Sequence, residues 1–244
     1  MTGGSFATFA TFTIHAANLP EHARNPIHTD AGAQAAGFPR ALVAGVTTYA
    51  YLTHSIVDGW GMGWLRSGTA EVRFRSPVFD GDLLDCVPEL DGDILRVDAV
   101  VGDRTRPRAV VTASRDGAAP PQMRAGEQLR DRTILLDGEL GAEYGERAGD
   151  DLALYTGSGV VHPAVWPALA NLVVHADVAR GAWVHTRSLI RHHGIARVGA
   201  QATVSAVVVE RFDAHGERAI LDVRVEVDGA VVATLEHEAI VALP

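Results

Sequence analysis

Three side chains in one short stretch could do chemistry together: Asn25, His28 and Asp30, in the run Asn25-Pro26-Ile27-His28-Thr29-Asp30. Histidine is the side chain whose ordinary pKa lies nearest neutrality, so His28 is a candidate proton carrier. Asn25 before Pro26 suits an Asx turn that fixes the loop. Asp30 suits either a cap or a carboxylate partner for His28, and His22 is a second nearby candidate. A further group lies late in the chain: His162-Pro163, Trp183-Val184-His185, Arg187-Ser188 and Arg191-His192-His193. On a regular strand His185, Arg187 and Leu189 share one face, and His192 and His193 point apart, a poor arrangement for a two-histidine metal site. This group reads either as the lining of a channel or as a cap on a sheet, with His162 a candidate for a second site. Other chemistries are excluded. All 21 basic residues are Arg, so Schiff-base and pyridoxal-phosphate catalysis, a P-loop and a Ser-x-x-Lys nucleophile are all out. The single cysteine, Cys86, allows neither an intrachain disulfide nor a cysteine-based zinc site.

These residues sit within two halves that follow the same order of elements. In the first half, Phe6–Ile14 alternates as a strand does, a loop runs from Asn25 to Pro39, and Ala41–Val57 is apolar almost all round. A helix of that kind must be buried. Thr69–Val78, Leu83–Leu90, Ile94–Val101 and Ala109–Ser114 are β-rich runs, with Asp-Gly turn signals at 80–81 and 91–92. In the second half Thr133–Leu136 is a short strand, Leu140–Ala148 is helical, and Val165–Val178 is the apolar helix. Trp183–Arg191, Ala202–Phe212, Ala219–Val227 and Val231–Val241 are the strands. The middle stretch, 116–129, is rich in Gly, Pro and charge and reads as a linker between a domain at 1–115 and another at 130–244. A long helix wrapped by an antiparallel sheet, twice over, is an α+β architecture of the double hot-dog kind, although element order alone leaves other α+β folds open.

The residues narrow it. The Asn25–Asp30 run, then Ala35-Ala36-Gly37-Phe38-Pro39, Leu42-Val43-Ala44-Gly45 and the strand Val72–Asp82, resemble the hydratase motif of the MaoC-like, (R)-specific enoyl-CoA hydratase and dehydratase family. The resemblance covers roughly residues 5 to 114. It implies a hot-dog fold, an acyl thioester of coenzyme A or a carrier protein as substrate, and no metal or separate cofactor. It also implies roles. An Asp and a His activate one water, Asn25 fixes the loop, and a backbone N–H at the start of the central helix binds the thioester oxygen. His28 and Gly45 are the matching positions here, and the substrate would pass Ala44. The family's Asp falls on Ala23 and the His of its His-Gly pair on Ala44, so Asp30 and His22 become the candidate substitutes. In the second half Asp150 matches the Asp position, while Leu152 and Tyr155 stand for the Asn and the His. With no Lys present, coenzyme-A phosphates would be met by Arg; Arg75 and Arg187, together with His185, lie near the expected site strands.

The net charge of −9 argues against a nucleic-acid partner. No apolar run approaches the ~18–20 residues of a membrane span, and the first 19 residues do not read as a signal peptide, so a cytoplasmic location is expected. The expected activity is interconversion of enoyl and 3-hydroxyacyl thioesters, a lyase reaction. The alternatives are a catalytically inactive acyl-thioester binder or heteromer subunit, and an acyl-CoA thioesterase. Pairing of two such chains into a homodimer stays open.

Overall fold

A computed structural model describes residues 9–243. Among these residues eleven strands form one antiparallel sheet that runs through both halves of the chain. The first half supplies β1 (Phe12–His15), β2 (Thr69–Phe74), β3 (Leu83–Asp91), β4 (Ile94–Val100) and β5 (Ala109–Ser114). The second supplies β6 (Glu127–Gln128), β7 (Arg132–Leu135), β8 (Val184–His192), β9 (Gln201–Asp213), β10 (Glu217–Val227) and β11 (Ala230–Ala242). The order is β1-β3-β4-β5-β2-β8-β11-β10-β9-β6, with β7 also on β9. The halves join where β2 pairs antiparallel with β8, Thr69 opposite Arg191 and Arg73 opposite Arg187. Alternation explains the long strands. In β10 every second residue from Ala219 to Val227 is buried, so one face packs and the other meets water.

Each half is built around a helix. The helices are α1 (Asp30–Ala35), α2 (Gly45–Ser67), α3 (Glu143–Ala148), α4 (Leu154–Ser158) and α5 (Val165–Val173), the last continued by a π turn over Val174–Val178. Every residue of α2 from Val46 to Thr53 is buried, as its lack of a polar face requires. The helix begins later and runs further than the apolar run at 41–57 suggests. Leu42 and Val43 are extended, their N–H groups donating to Ile27 O and Val78 O, and the helix starts only at Gly45. A helical-length apolar run cannot by itself distinguish an extended buried lead-in from a first turn. The expected first strand is shorter, since β1 begins at Phe12; residues 6–8 of that expected strand lie outside the described residues. The expected linker packs on the second half: Arg124 pairs with Asp222 and Glu236, and Glu127 and Gln128 add a short strand to β9. Among the described residues no helix is long and apolar enough to cross a membrane.

Candidate active site

Two clefts meet at His28. One, with about 700 Å³ of empty space partly open to solvent, is lined by Glu21, His22, Tyr144 and the α5 residues Ala168, Asn171 and Leu172. The other, about 960 Å³ by the same measure, is lined by Gly45, Phe74, Arg75, His185 and Arg218 among others. Asn25, His28, Asn171 and Trp183 belong to both walls. The candidate site is therefore shared between the halves: the first half brings the loop, and the second brings α5 and the start of β8.

Local turns aim the loop. Pro20–Arg24 and Pro26–His28 are two consecutive 3-10 turns, each started by a proline, whose fixed φ suits a first helical position. Asn25 lies between them, buried, its Nδ2 donating to Trp183 O at 2.8 Å and its Oδ1 accepting from Trp183 N–H at 3.4 Å. Both ends of its amide are thus occupied by the second half, so Asn25 locks the loop to β8. His28 Nδ1 lies 2.8 Å from Leu42 O. A carbonyl only accepts, so Nδ1 carries the proton and Nε2 of the neutral ring is bare. Burial pushes the His28 pKa down, and the bond to Leu42 O opposes this only in part. His28 is thus a neutral base in water at ordinary pH. The His22 ring centroid lies 5.9 Å from that of His28, and His22 Nε2 is 3.1 Å from Thr47 Oγ1. Burial, then the neighbouring His28, drives the His22 pKa down to about 4, so His22 is also neutral.

The carboxylate beside these histidines comes from a residue that sequence reasoning passed over. Glu21 lines the first cleft and is paired with Arg147 of α3 at 2.5 Å. Its Oε1 is buried with no hydrogen-bond partner. Burial alone would raise its pKa, but the hydrogen bond and charge of Arg147 outweigh it and leave the carboxyl below its usual range. Nothing in the sequence marks Glu21, because the direction in which a 3-10 turn points its residues depends on what the turn packs against. Ala23, where the motif has Asp, is exposed and lies outside both linings.

Two expected residues are directed elsewhere. Asp30 is exposed, and its Oδ1 accepts the Ala41 N–H at 2.8 Å. It closes the loop rather than serving His28, and it lines neither cleft. Arg187 lies on the outer face of the sheet, paired with Glu71 and Glu236 at 2.5 Å each. The expectation that His185 and Arg187 share a face fails because β8 has a bulge. Glu238 pairs with Arg187 and the next residue, Ala239, pairs with His185, which leaves Thr186 extra. One extra residue flips the face of everything before it. His185 therefore joins Ser188, Ile190 and His192 on the buried face. His192 and His193 do point apart, His192 into the core and His193 to Thr234 Oγ1 at 2.8 Å.

Gly45 opens α2, and the helix has no side-chain cap at Ala44. Its first N–H groups thus lack the partners that a Ser or Asp cap would give. Gly45 lines the second cleft, whereas Ala44 is buried just behind it and donates its N–H to Asn18 Oδ1 at 3.3 Å. Arg75 stands on the same cleft, exposed, without an acidic partner among the described residues. Arg218 is held by Glu238 at 2.6 Å.

Asp150 and His162 do come together, away from both clefts. The Asp150 carboxylate is fully buried and takes His54 Nδ1 at 2.8 Å, His162 Nε2 at 3.1 Å and Leu152 N–H at 3.0 Å. His162 Nδ1 accepts the Ala164 N–H at 3.1 Å, which places the His162 proton on Nε2, toward the carboxylate. Burial alone would raise the Asp150 pKa, but these donors outweigh it and hold it well below its usual range. His54, Asp150 and Asp151 offer ligand atoms close enough for a cation, but the donors already facing Asp150 give the cluster a sufficient account without one.

Residues 18–126 match the MaoC like domain family. No curated protein matches the sequence. A conserved hypothetical protein of Mycobacterium tuberculosis with a double hot-dog fold superposes with a TM-score of 0.66 at 14% identity, over 98% of this chain and 99% of that one. A MaoC domain protein of Chloroflexus aurantiacus superposes at 0.63 and 12% identity, over 100% and 99%. An acyl-ACP thioesterase of Bacteroides thetaiotaomicron superposes at 0.54 and 9% identity, over 95% and 97%. At such identities these likenesses speak for fold alone. They show that the whole chain is a double hot dog, and residues 18–126 are the part of it similar to the MaoC like domain.

Proposed function

We propose that this protein is a hydratase or dehydratase that interconverts enoyl and 3-hydroxyacyl thioesters, with coenzyme A as the carrier. The observation that carries the reading is the bare Nε2 of His28 at the junction of the two clefts, near the uncapped start of α2 at Gly45. Hydration needs a base for water and donors for the charge that builds on the thioester oxygen. His28 Nε2 takes a proton from water, the water oxygen bonds to the β-carbon, and the double-bond electrons move onto the thioester oxygen. The Gly45 N–H, at a helix N-terminus that favours negative charge, receives that oxygen. The electrons then return and the α-carbon takes the proton from the His28 imidazolium. Glu21, the carboxylate on the wall of the first cleft, is the anion that takes the place of the motif's Asp. Arg75 meets a coenzyme-A phosphate. No cofactor beyond the coenzyme A of the substrate takes part.

A second reading rests on a specific observation: among the described residues no carboxylate is hydrogen-bonded to His28. Such a site could bind acyl thioesters without turning them over. The hot-dog fold is also shared by a thioesterase, so hydrolysis is a third outcome. One experiment separates them. The protein is incubated with a series of enoyl-CoA thioesters, and loss of the conjugated double bond and release of free thiol are followed together. Double-bond loss that disappears in His28→Ala supports hydration. Thiol release without double-bond loss overturns it in favour of hydrolysis. Neither signal, with a raised melting temperature, leaves binding alone.

A further inference from the structure

A buried chain of three polar side chains ends at the start of α2. His237 of β11 and Ser188 of β8 are fully buried, and His185 is nearly so. Ser188 Oγ lies 2.8 Å from His185 Nε2 on one side and 2.8 Å from His237 Nδ1 on the other. The two rings stack with centroids 4.2 Å apart. The outer atom of the chain, His185 Nδ1, is buried and has no hydrogen-bond partner. A Cβ built on Gly45 would lie 3.1 Å from it. In an α-helix the Cα–Cβ direction tilts toward the N-terminus, the side that the first N–H groups also face. His185 Nδ1 and the Gly45 N–H therefore border the same corner of the second cleft, whose wall includes both residues.

Among the described residues Ser188 Oγ has no partner but the two histidines, so its one proton goes to one of them and the other donates to it. If His185 Nε2 donates, the His237 Nδ1 accepts and the His237 proton sits on Nε2. That atom is buried and has no partner, so the arrangement strands an N–H in the core. If His237 Nδ1 donates, the Ser188 proton goes to His185 Nε2 and the His185 proton sits on Nδ1, facing Gly45. Either arrangement leaves one N–H and one bare nitrogen without a protein partner, but this one keeps the bare nitrogen in the core at His237 and puts the N–H at the cleft, and orphaned acceptors are less rare in protein interiors than orphaned N–H groups. It places the remaining free donor at a cleft wall, where a ligand oxygen can meet it. Burial, reinforced by the nearby His237, keeps His185 neutral, and burial keeps His237 neutral as well, so the chain sets a tautomer rather than a charge.

We propose that His185 is a second donor to the thioester oxygen, acting through Nδ1–H beside the Gly45 N–H, with Ser188 and His237 as the positioning residues that fix its tautomer. The inference rests on reading the clefts as an acyl-thioester site. Two donors on one oxygen form an oxyanion hole, and a donor shielded from bulk water acts with more effect than an exposed one.

The test is long-range 1H–15N NMR of the full-length protein labelled with 15N-histidine, with the His185 and His28 signals assigned by their loss in His185→Gln and His28→Ala. Butyryl-CoA, a saturated thioester that cannot be hydrated, is the probe. The expected free protein shows His185 protonated at Nδ1 and bare at Nε2, and butyryl-CoA shifts that Nδ1 signal. In Ser188→Ala the tautomer preference is lost. In His185→Gln, kcat for an enoyl-CoA falls about 10²-fold with KM within about threefold, as expected for an interaction made mainly in the transition state. A proton on His185 Nε2 in the free protein overturns the inference. So does a butyryl-CoA shift at His28 with none at His185. A probe that shifts neither histidine overturns instead the thioester reading of the site. If His185→Gln does not fold, the tautomer in wild type and Ser188→Ala decides the matter by itself, with the His185 signal assigned through its couplings to the ring protons.

Discussion

Two glycines on one helix should respond in opposite ways to the same substitution. Gly45 opens α2, and Gly63 lies in its last stretch, beyond a break at Gly61, whose φ of 56° and ψ of −147° are not helical. Ala is favoured over Gly in a helix interior by about 0.5–1 kcal/mol. At Gly63 a Cβ meets nothing within 4 Å, so Gly63→Ala should realise part of that gain and leave activity unchanged. At Gly45 the Cβ would meet His185 Nδ1 at 3.1 Å and Phe74 ring carbons at 3.2 and 3.3 Å. These fall a few tenths of an ångström short of ordinary contact at about 3.5–4.0 Å. Overpacking of this kind costs about 1–3 kcal/mol, and the helix preference offsets part of it, leaving a net loss of at most about 2.5 kcal/mol. Even from a stability of about 5 kcal/mol, that leaves about 98% or more of the molecules folded. Activity should fall far more. The methyl would occupy the space through which the thioester oxygen approaches the Gly45 N–H, and loss of one such donor costs about 10²–10³ in rate, about 3–4 kcal/mol. Urea unfolding followed by circular dichroism gives the stability of both variants, and steady-state hydration of an enoyl-CoA gives the rates. A Gly45→Ala protein that keeps kcat within about threefold of wild type would refute the placement of the thioester oxygen at this helix start.

Four further outcomes follow from named contacts. Burial holds His192 and His237 down to about 3, against an unfolded value of about 6.5; the unfolded chain therefore binds their protons first, and stability present above pH 6.5 is lost as pH falls through that window. At pH 5 each should subtract about 2 kcal/mol, about 4 together, read as a lower urea midpoint than at pH 7.5; equal midpoints would show that these rings are not held neutral. Asp150→Ala strands the His54 and His162 donors and should lower stability by about 3–5 kcal/mol, and a loss below about 1 kcal/mol in urea would contradict a buried anion there. Arg75→Ala should raise KM for a coenzyme-A thioester about tenfold, the size of one charged hydrogen bond, and leave KM for a phosphate-free N-acetylcysteamine thioester unchanged; equal effects on both would remove Arg75 from the phosphates. Ala23→Asp should leave turnover within about twofold, because position 23 is exposed and outside both clefts, and a large gain in rate would show that the loop moves.

What the sequence made legible, and what it hid, follows from the range of the interactions involved. β9, β10 and β11 were readable because alternation is local and each strand carries its own record of which face is wet. His237 was readable in the same way, although it was passed over: Leu235, His237, Ala239 and Val241 are the inward positions of β11, so a histidine in that series had to be buried. The face of His185 was not readable, because the bulge at Thr186 exists only in the pairing of β8 with β11, two segments about fifty residues apart. The start of α2 was misjudged for a related reason. Leu42 and Val43 are apolar enough for a helix, and only their bonds to Ile27 and Val78 hold them extended.

The same distinction explains how the two halves divide their work. The first half keeps the histidine of the motif, and the second keeps a matching carboxylate, Asp150. In the folded chain these do not combine. Asp150 binds His162 from its own half and His54 from the helix of the other, so the carboxylate fastens the halves together at a place that lines neither cleft. Asn25 fastens them again from the loop, through Trp183. The second half then has no need of a site of its own: its α5 and the start of β8 are the far wall of the site on the first. A duplicated fold in which one loop keeps its base and the other contributes a clamp and a wall should have one acyl-thioester site per chain. Titration of the protein with butyryl-CoA by calorimetry should therefore saturate at one equivalent, abolished or weakened by changes at the His28 cleft. Saturation at two equivalents would mean that the second loop still binds on its own account.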